Sequence, residues 1–149
     1  MRHRLGMRSR LVVFVIGLVT VLALASVAAA ANGGRSFSTA LTGAAEVPGP
    51  GDADASGQAV ITLNQGKGQV CYDLTWSGID GTVIAAHIHA APAGIAGPVV
   101  VPLAPGSGCT TIAVSEELIK AIRRDPSNYY VNIHSTAFPA GAIRGQLAK

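Results

Sequence analysis

The chain lacks most of the residues that usually declare a chemistry. It has two cysteines in 149 residues, room for one disulfide and no Cys-rich metal cluster. It has no Gly-x-Ser-x-Gly segment, which excludes the nucleophile elbow of the α/β-hydrolases. No Arg-Arg pair precedes its apolar N-terminal stretch and no Cys follows it, so neither twin-arginine export nor a lipid-modified N-terminus is expected. That stretch, Leu11 to about Ala25, is shorter than the roughly 20 residues that span a bilayer.

The N-terminus reads as a signal peptide over residues 1–31. Arg2, Arg4, Arg8 and Arg10 form the basic segment, Leu11 to Ala25 the apolar one, and Ala28-Ala29-Ala30 or Ala29-Ala30-Ala31 fits the small-x-small cleavage pattern. Retention as an N-terminal anchor is the alternative. Cleavage would leave residues 32–149 as one domain with one core and no membrane span. It would also remove four of the eleven basic residues and none of the eight acidic ones, leaving a net charge of −1. The basic pI is thus largely a property of the leader. No basic patch remains, so nucleic acid is not an expected partner.

Secretion decides how the cysteines are read. In an oxidising compartment Cys71 and Cys109 pair as a disulfide, closing a loop of 37 residues. Two free thiols contributing to a metal site are the alternative.

Beyond the leader the pattern is mainly β, with apolar and polar residues alternating and Gly, Pro, Asn and Asp interrupting at short intervals. Candidate strands are Phe37–Leu41, Gln58–Asn64, Gln69–Trp76, Val83–Ala90, Val99–Leu103, Cys109–Val114, Tyr129–His134 and Ala142–Leu147. Asn64-Gln65-Gly66-Lys67-Gly68 suits a hairpin turn. One short helix is expected over about 115–124. Ser115 caps it, Glu116 and Glu117 match its positive end, Leu118, Ile119 and Ile122 form its apolar stripe, and Asp125-Pro126 ends it. The expected fold is a small antiparallel Greek-key-like β-sandwich or barrel with that helix across an open end.

Histidine is used sparingly, and its placement is the main functional signal. His3 lies in the leader; the other three are His87 and His89 in AAHIHA and His134 in YVNIHS. Residues two apart on a strand share a face. His87 and His89 therefore point together, opposite Ile88, and His134 points with Asn132 and Tyr130, opposite Ile133. If the two strands are neighbours, the three imidazoles converge into a nitrogen set suited to copper or zinc. The competing reading makes them structural pins that hydrogen-bond the nearby Pro92-Ala93-Gly94 and Pro139-Ala140-Gly141 turns. Glu46, Asp73, Asn132 and Arg144 are candidates to hold the ligands from behind or to pair as ions, with a solvated or structural charge as the alternative. Gly94, Gly97, Gly141 and Gly145 read as positions of positive φ or close approach.

Three segments carry a family resemblance: LTGAAEVPG (41–49), AHIHAAPAGIAGPVV (86–100) and YYVNIHSTAFPAGAIRGQL (129–147). In this order they resemble the hallmark segments of the CHRD domain, the module named after chordin, over about Phe37 to Leu147. The resemblance implies an extracytoplasmic β-domain with no settled enzymatic activity. The Cys71–Cys109 pair and the 115–124 helix also look like features of bacterial secreted single-domain members. Chordin's growth-factor antagonism is not implied, because the cysteine-rich modules that bind growth factor are missing here. A looser similarity links the His-x-His pair to copper/zinc superoxide dismutase, but that enzyme needs further histidines and a zinc loop. The expected function is a secreted binding module for copper or zinc, an unknown protein or the cell envelope. The alternatives are a dismutase-like redox enzyme and a purely structural domain.

Overall fold

The computed structural model describes residues 34–148. The signal peptide assigned to residues 1–31 lies outside the described residues. Eight strands form one antiparallel sheet: β1 (Arg35–Thr42), β2 (Ser56–Asn64), β3 (Gln69–Ser77), β4 (Val83–Ala90), β5 (Val99–Leu103), β6 (Ser107–Thr110), β7 (Tyr129–Ser135) and β8 (Ile143–Gln146). Their order across the sheet is β5-β4-β7-β8-β1-β2-β3-β6.

The sheet curls until its edges nearly meet. Beyond β5, the Ala104 N–H donates to Tyr72 Oη of β3 at 3.0 Å. Just before β6, the Gly106 carbonyl accepts the Leu74 N–H at 3.0 Å. The result is a nearly closed barrel, and alternation fills it. Ile61, Leu63, Val70, Ala86, Ile88, Val101, Val131, Ile133 and Ile143 are all fully buried in one continuous core.

The helix α1 (Glu116–Arg124) forms where the sequence places it. The Ser115 hydroxyl accepts the Leu118 N–H at 3.1 Å, with Glu116 and Glu117 in the first turn and Arg123 and Arg124 in the last. Its buried Ile119 and Ile122 join the barrel core. Arg123 Nη1 donates to Gln65 Oε1 at 3.1 Å, docking the helix on the β2–β3 turn and covering that end of the barrel.

Several strand ends differ from the sequence reading by one or two residues, and the largest departure is at β6. The strand expected at Cys109–Val114 is β6, Ser107–Thr110. Gly108 pairs with Tyr72 and has no side chain to collide with it; a Cβ there would lie 2.9 Å from Tyr72 Oη and 3.2 Å from its ring carbon Cζ. After Thr110 the chain turns instead of extending. The Thr110 hydroxyl accepts the Ile112 N–H, and Ala113 takes a positive φ of 58°. Cys71 and Cys109 face each other in register across β3 and β6 and are joined, S–S 2.03 Å, as expected.

Position on the sheet sets the stage for the site. The outward side chains of β4, β7 and β8 form aligned rows. His87 pairs with Asn132, which pairs with Arg144; His89 pairs with Tyr130, which pairs with Gln146. His134 sits opposite Ala85, diagonal to His87. This outer face is roofed by the loop after β4 and by the loop between β1 and β2. The latter is held by the Asp52 N–H, which donates to the Ala142 carbonyl at 2.8 Å.

Candidate metal centre

His87, His89 and His134 converge because β4 and β7 are neighbours. One nitrogen from each ring can be chosen so that all three lie within 4.8 Å of one another. The ring centroids are 4.9 Å apart for His87–His134, 5.6 Å for His87–His89 and 6.3 Å for His89–His134. The register between β4 and β5 shifts at Ile88/His89, where Ile88 pairs with Val101 and His89 with Val99. Such a bulge re-aims the side chains beside it.

Backbone carbonyls settle which nitrogens are free. His89 Nδ1 lies 2.9 Å from the Gly97 carbonyl, and His134 Nδ1 lies 3.1 Å from the Pro139 carbonyl. A carbonyl only accepts, so both Nδ1 atoms carry the proton and both Nε2 atoms present lone pairs. His87 Nδ1, 3.1 Å from His134 Nε2, must then donate to it. His89 Nε2 is buried and has no hydrogen-bond partner. A buried nitrogen lone pair with no donor is costly unless something fills it. An imidazole whose other N–H is held by a carbonyl is the usual arrangement of a metal-ligating histidine.

The electrostatics agree with this geometry. Burial pushes the His87 pKa down to about 4, and His134 and His89 add to the effect. His89 is lowered chiefly by burial, then by His134 and Arg144, against an opposing contribution from its hydrogen bond to Gly97. His134 is lowered by burial against its bond to Pro139. The rings are thus held neutral near pH 7, the form that binds metal.

Glu46, Asn132 and Arg144 also gather at this face. Asn132 Nδ2 donates to Glu46 Oε1 at 2.5 Å, and Asn132 Oδ1 is buried with no hydrogen-bond partner. Gly141 makes room for this contact, since a Cβ there would lie 2.5 Å from both Asn132 Nδ2 and Glu46 Oε2. Glu46 is 6% exposed, and its burial raises its pKa to about 7 despite Arg144, Asn132 and the Val47 N–H, which pull it down. Arg144 is 2% exposed, so it is not a solvated charge. Asp73 does not join them. It is exposed on β3, in register with Val60 and Ser107, on a strand that pairs with neither β4 nor β7.

The sequence reading placed Tyr130 on the histidine face but gave it no part. Its ring stacks on His89, centroids 4.7 Å apart and planes within 9°. The Arg144 guanidinium lies 3.4 Å from the Tyr130 ring centroid. The Gly97 N–H donates to Tyr130 Oη at 3.2 Å. Alternation supplied the face, but nothing in the pattern signalled the stack.

The family model described as CHRD domain matches residues 37–147. The match takes in the histidine segments, the disulfide and the helix, and the chain belongs to this family. No curated protein and no solved structure matches it.

Proposed function

We propose that this CHRD domain is an extracytoplasmic binding module that takes up one copper or zinc ion through His87, His89 and His134. The observation that carries the reading is the buried, partnerless Nε2 of His89, set beside two other imidazoles whose nitrogens lie within reach of one ion. An ion with metal–nitrogen bonds of about 2.0–2.1 Å holds its nitrogens roughly 3.3 Å apart. His87 Nδ1 and His134 Nε2 already stand 3.1 Å apart, close to that spacing, and serve as a ligand pair once the proton leaves His87 Nδ1. The set is all-nitrogen and three-coordinate from protein, which suits copper or zinc better than calcium or magnesium. The disulfide, and the absence among the described residues of any helix long and apolar enough to cross a membrane, are compatible with an extracytoplasmic setting.

A second reading has its own support. The bonds to Gly97 and Pro139 pin the β4–β5 loop, beyond its Pro92-Ala93-Gly94 segment, and the Pro139-Ala140-Gly141 turn whether or not metal is bound. A dismutase-like enzyme has less support, because His87, His89 and His134 are the only group of this kind among the described residues.

The test is to load the purified protein with Cu(II) or Zn(II), dialyse and measure retained metal. One equivalent is expected, lost in His87→Ala and His134→Ala. Retention below about 0.1 equivalent ends both metal readings. Superoxide turnover by the copper-loaded protein then separates a carrier from an enzyme.

A further inference from the structure

Arg144 holds the roof of the histidine face by the roof's own backbone. Its Nη1 donates to the Ile95 carbonyl and its Nη2 to the Pro92 carbonyl, each at 3.0 Å, with Gln146 Oε1 at 3.3 Å. Both carbonyls belong to the loop between β4 and β5. The planar guanidinium supplies this fork in fixed geometry. Its face packs on Tyr130, whose ring stacks on His89. Because β4 and β8 flank β7 on opposite sides, Tyr130 lies between the guanidinium and the imidazole.

The loop closes the circuit. Gly97, two residues beyond Ile95, donates its N–H to Tyr130 Oη and accepts the His89 Nδ1 proton on its carbonyl. Gly97 fits only without a side chain, since a Cβ there would lie 2.2 Å from the Ala90 carbonyl oxygen. Arg144 thus reaches His89 by two routes, the stack and the loop, while touching no candidate ligand through a hydrogen bond.

We infer that Arg144 is the positioning residue of the centre: by clamping the 92–97 loop and backing Tyr130, it fixes the orientation of His89 and keeps the proton on Nδ1 and the lone pair on Nε2. The inference rests on the metal reading for its purpose, but its structural content holds in the metal-free protein. His134 supplies an internal control, because its proton is set by Pro139 on a different turn.

The experiment is imidazole 15N–1H correlation on the full protein, metal-free, comparing wild type with Arg144→Gln and Arg144→Lys. Zn(II) affinity is measured on the same samples. In the wild type, His89 and His134 are each expected as single Nδ1–H tautomers. In both variants His89 becomes a tautomer mixture while His134 keeps its pattern, and Zn(II) binds about 10–100-fold more weakly. Lysine keeps the charge without the fork, so it does not rescue. If Arg144→Gln fails to fold, Arg144→Lys alone decides. A single unchanged His89 tautomer in Arg144→Lys overturns the inference, as does equal disturbance of His134. If the wild type retains no metal, the metal reading falls and the His89 tautomer still judges Arg144. If metal binds and His89 is unmoved, Arg144 loses its part and the metal reading stands.

Discussion

Nδ1 of His87 donates to Nε2 of His134 across 3.1 Å, bridging two strands whose histidines lie 47 residues apart in the chain. The direction of this bond follows from Pro139, whose carbonyl already takes the other His134 proton. Without metal, one lone pair of the set is therefore occupied by a neighbouring ligand. An incoming ion must displace that bond, and either shift the His87 proton to Nε2 or turn the ring.

Replacing His134 with alanine separates the metal and pin readings. The two bonds it makes, to His87 and to Pro139, are each worth about 1 kcal/mol at most, so the metal-free variant is expected to melt no more than about 10 °C lower. Retained metal should fall to background. Melts and metal analysis of the same preparation check both. A large loss of metal-free stability, with metal uptake unchanged, would transfer the histidines to the pin reading.

Metal retention should also resist acid more than three ordinary imidazoles would. Protons compete with metal for the same lone pairs, and His87 is held down to about 4, with His89 and His134 also lowered. Retention is expected to stay flat from pH 8 to about 6 and to fall as the pH approaches 4. Dialysis against buffers of stepped pH measures this. Release centred near pH 6.5, the ordinary histidine value, would show that the imidazoles are more solvated than the geometry requires.

Much of this was legible before the structure. Ile88 between His87 and His89, and Ile133 before His134, fix which way the imidazoles point, because a strand has no other periodicity. Ser115, Glu116 and Glu117 marked the helix start by local chemistry alone. What alternation cannot supply is which strands are neighbours. That is why Asp73, a plausible partner in sequence, lies on β3 and away from the β4–β7 pair. Alternation also cannot show what covers an outward face. Arg144 points outward from β8 and reads as solvated, yet the loops around Glu46 and Pro92 bury it. The β6 offset has a similar origin: Gly108 has no side chain to mark a strand position, yet it pairs with Tyr72 and accommodates it.

Glu46 should make the fold less stable as the pH rises. Its folded pKa, about 7, lies above its ordinary value of 4.5. The folded state therefore binds more protons between these values, and stability declines across that window. The three histidines, with lowered pKa values, work in the opposite direction: they cost stability as the pH falls below 6.5. Glu46→Gln retains an oxygen for the Asn132 amide and has no carboxyl to ionise. It is expected to stabilise the protein at pH 8, by at most about 3 kcal/mol, and to make little difference below pH 4.5. Urea unfolding at pH 8 and pH 4 checks this. Destabilisation at both values would mean that the ionised carboxylate is needed where it sits.

The disulfide supplies a test independent of the histidines. Cys71–Cys109 ties the edge strand β6 to β3, and closing a loop of 37 residues is worth about 3–4 kcal/mol through the unfolded chain. The double replacement Cys71→Ser/Cys109→Ser should lose roughly that much in denaturant unfolding. Its metal uptake should be unaltered, because neither strand contributes a histidine and the site is roofed by the loop after β4 and the loop between β1 and β2. Intact mass with and without reductant first establishes that the native protein carries the bond. Two free thiols would remove this contribution and return both sulfurs to the pool of candidate ligands. Loss of metal uptake in the bonded protein's serine variant would place β6, and the seam where it meets β5, within reach of the centre.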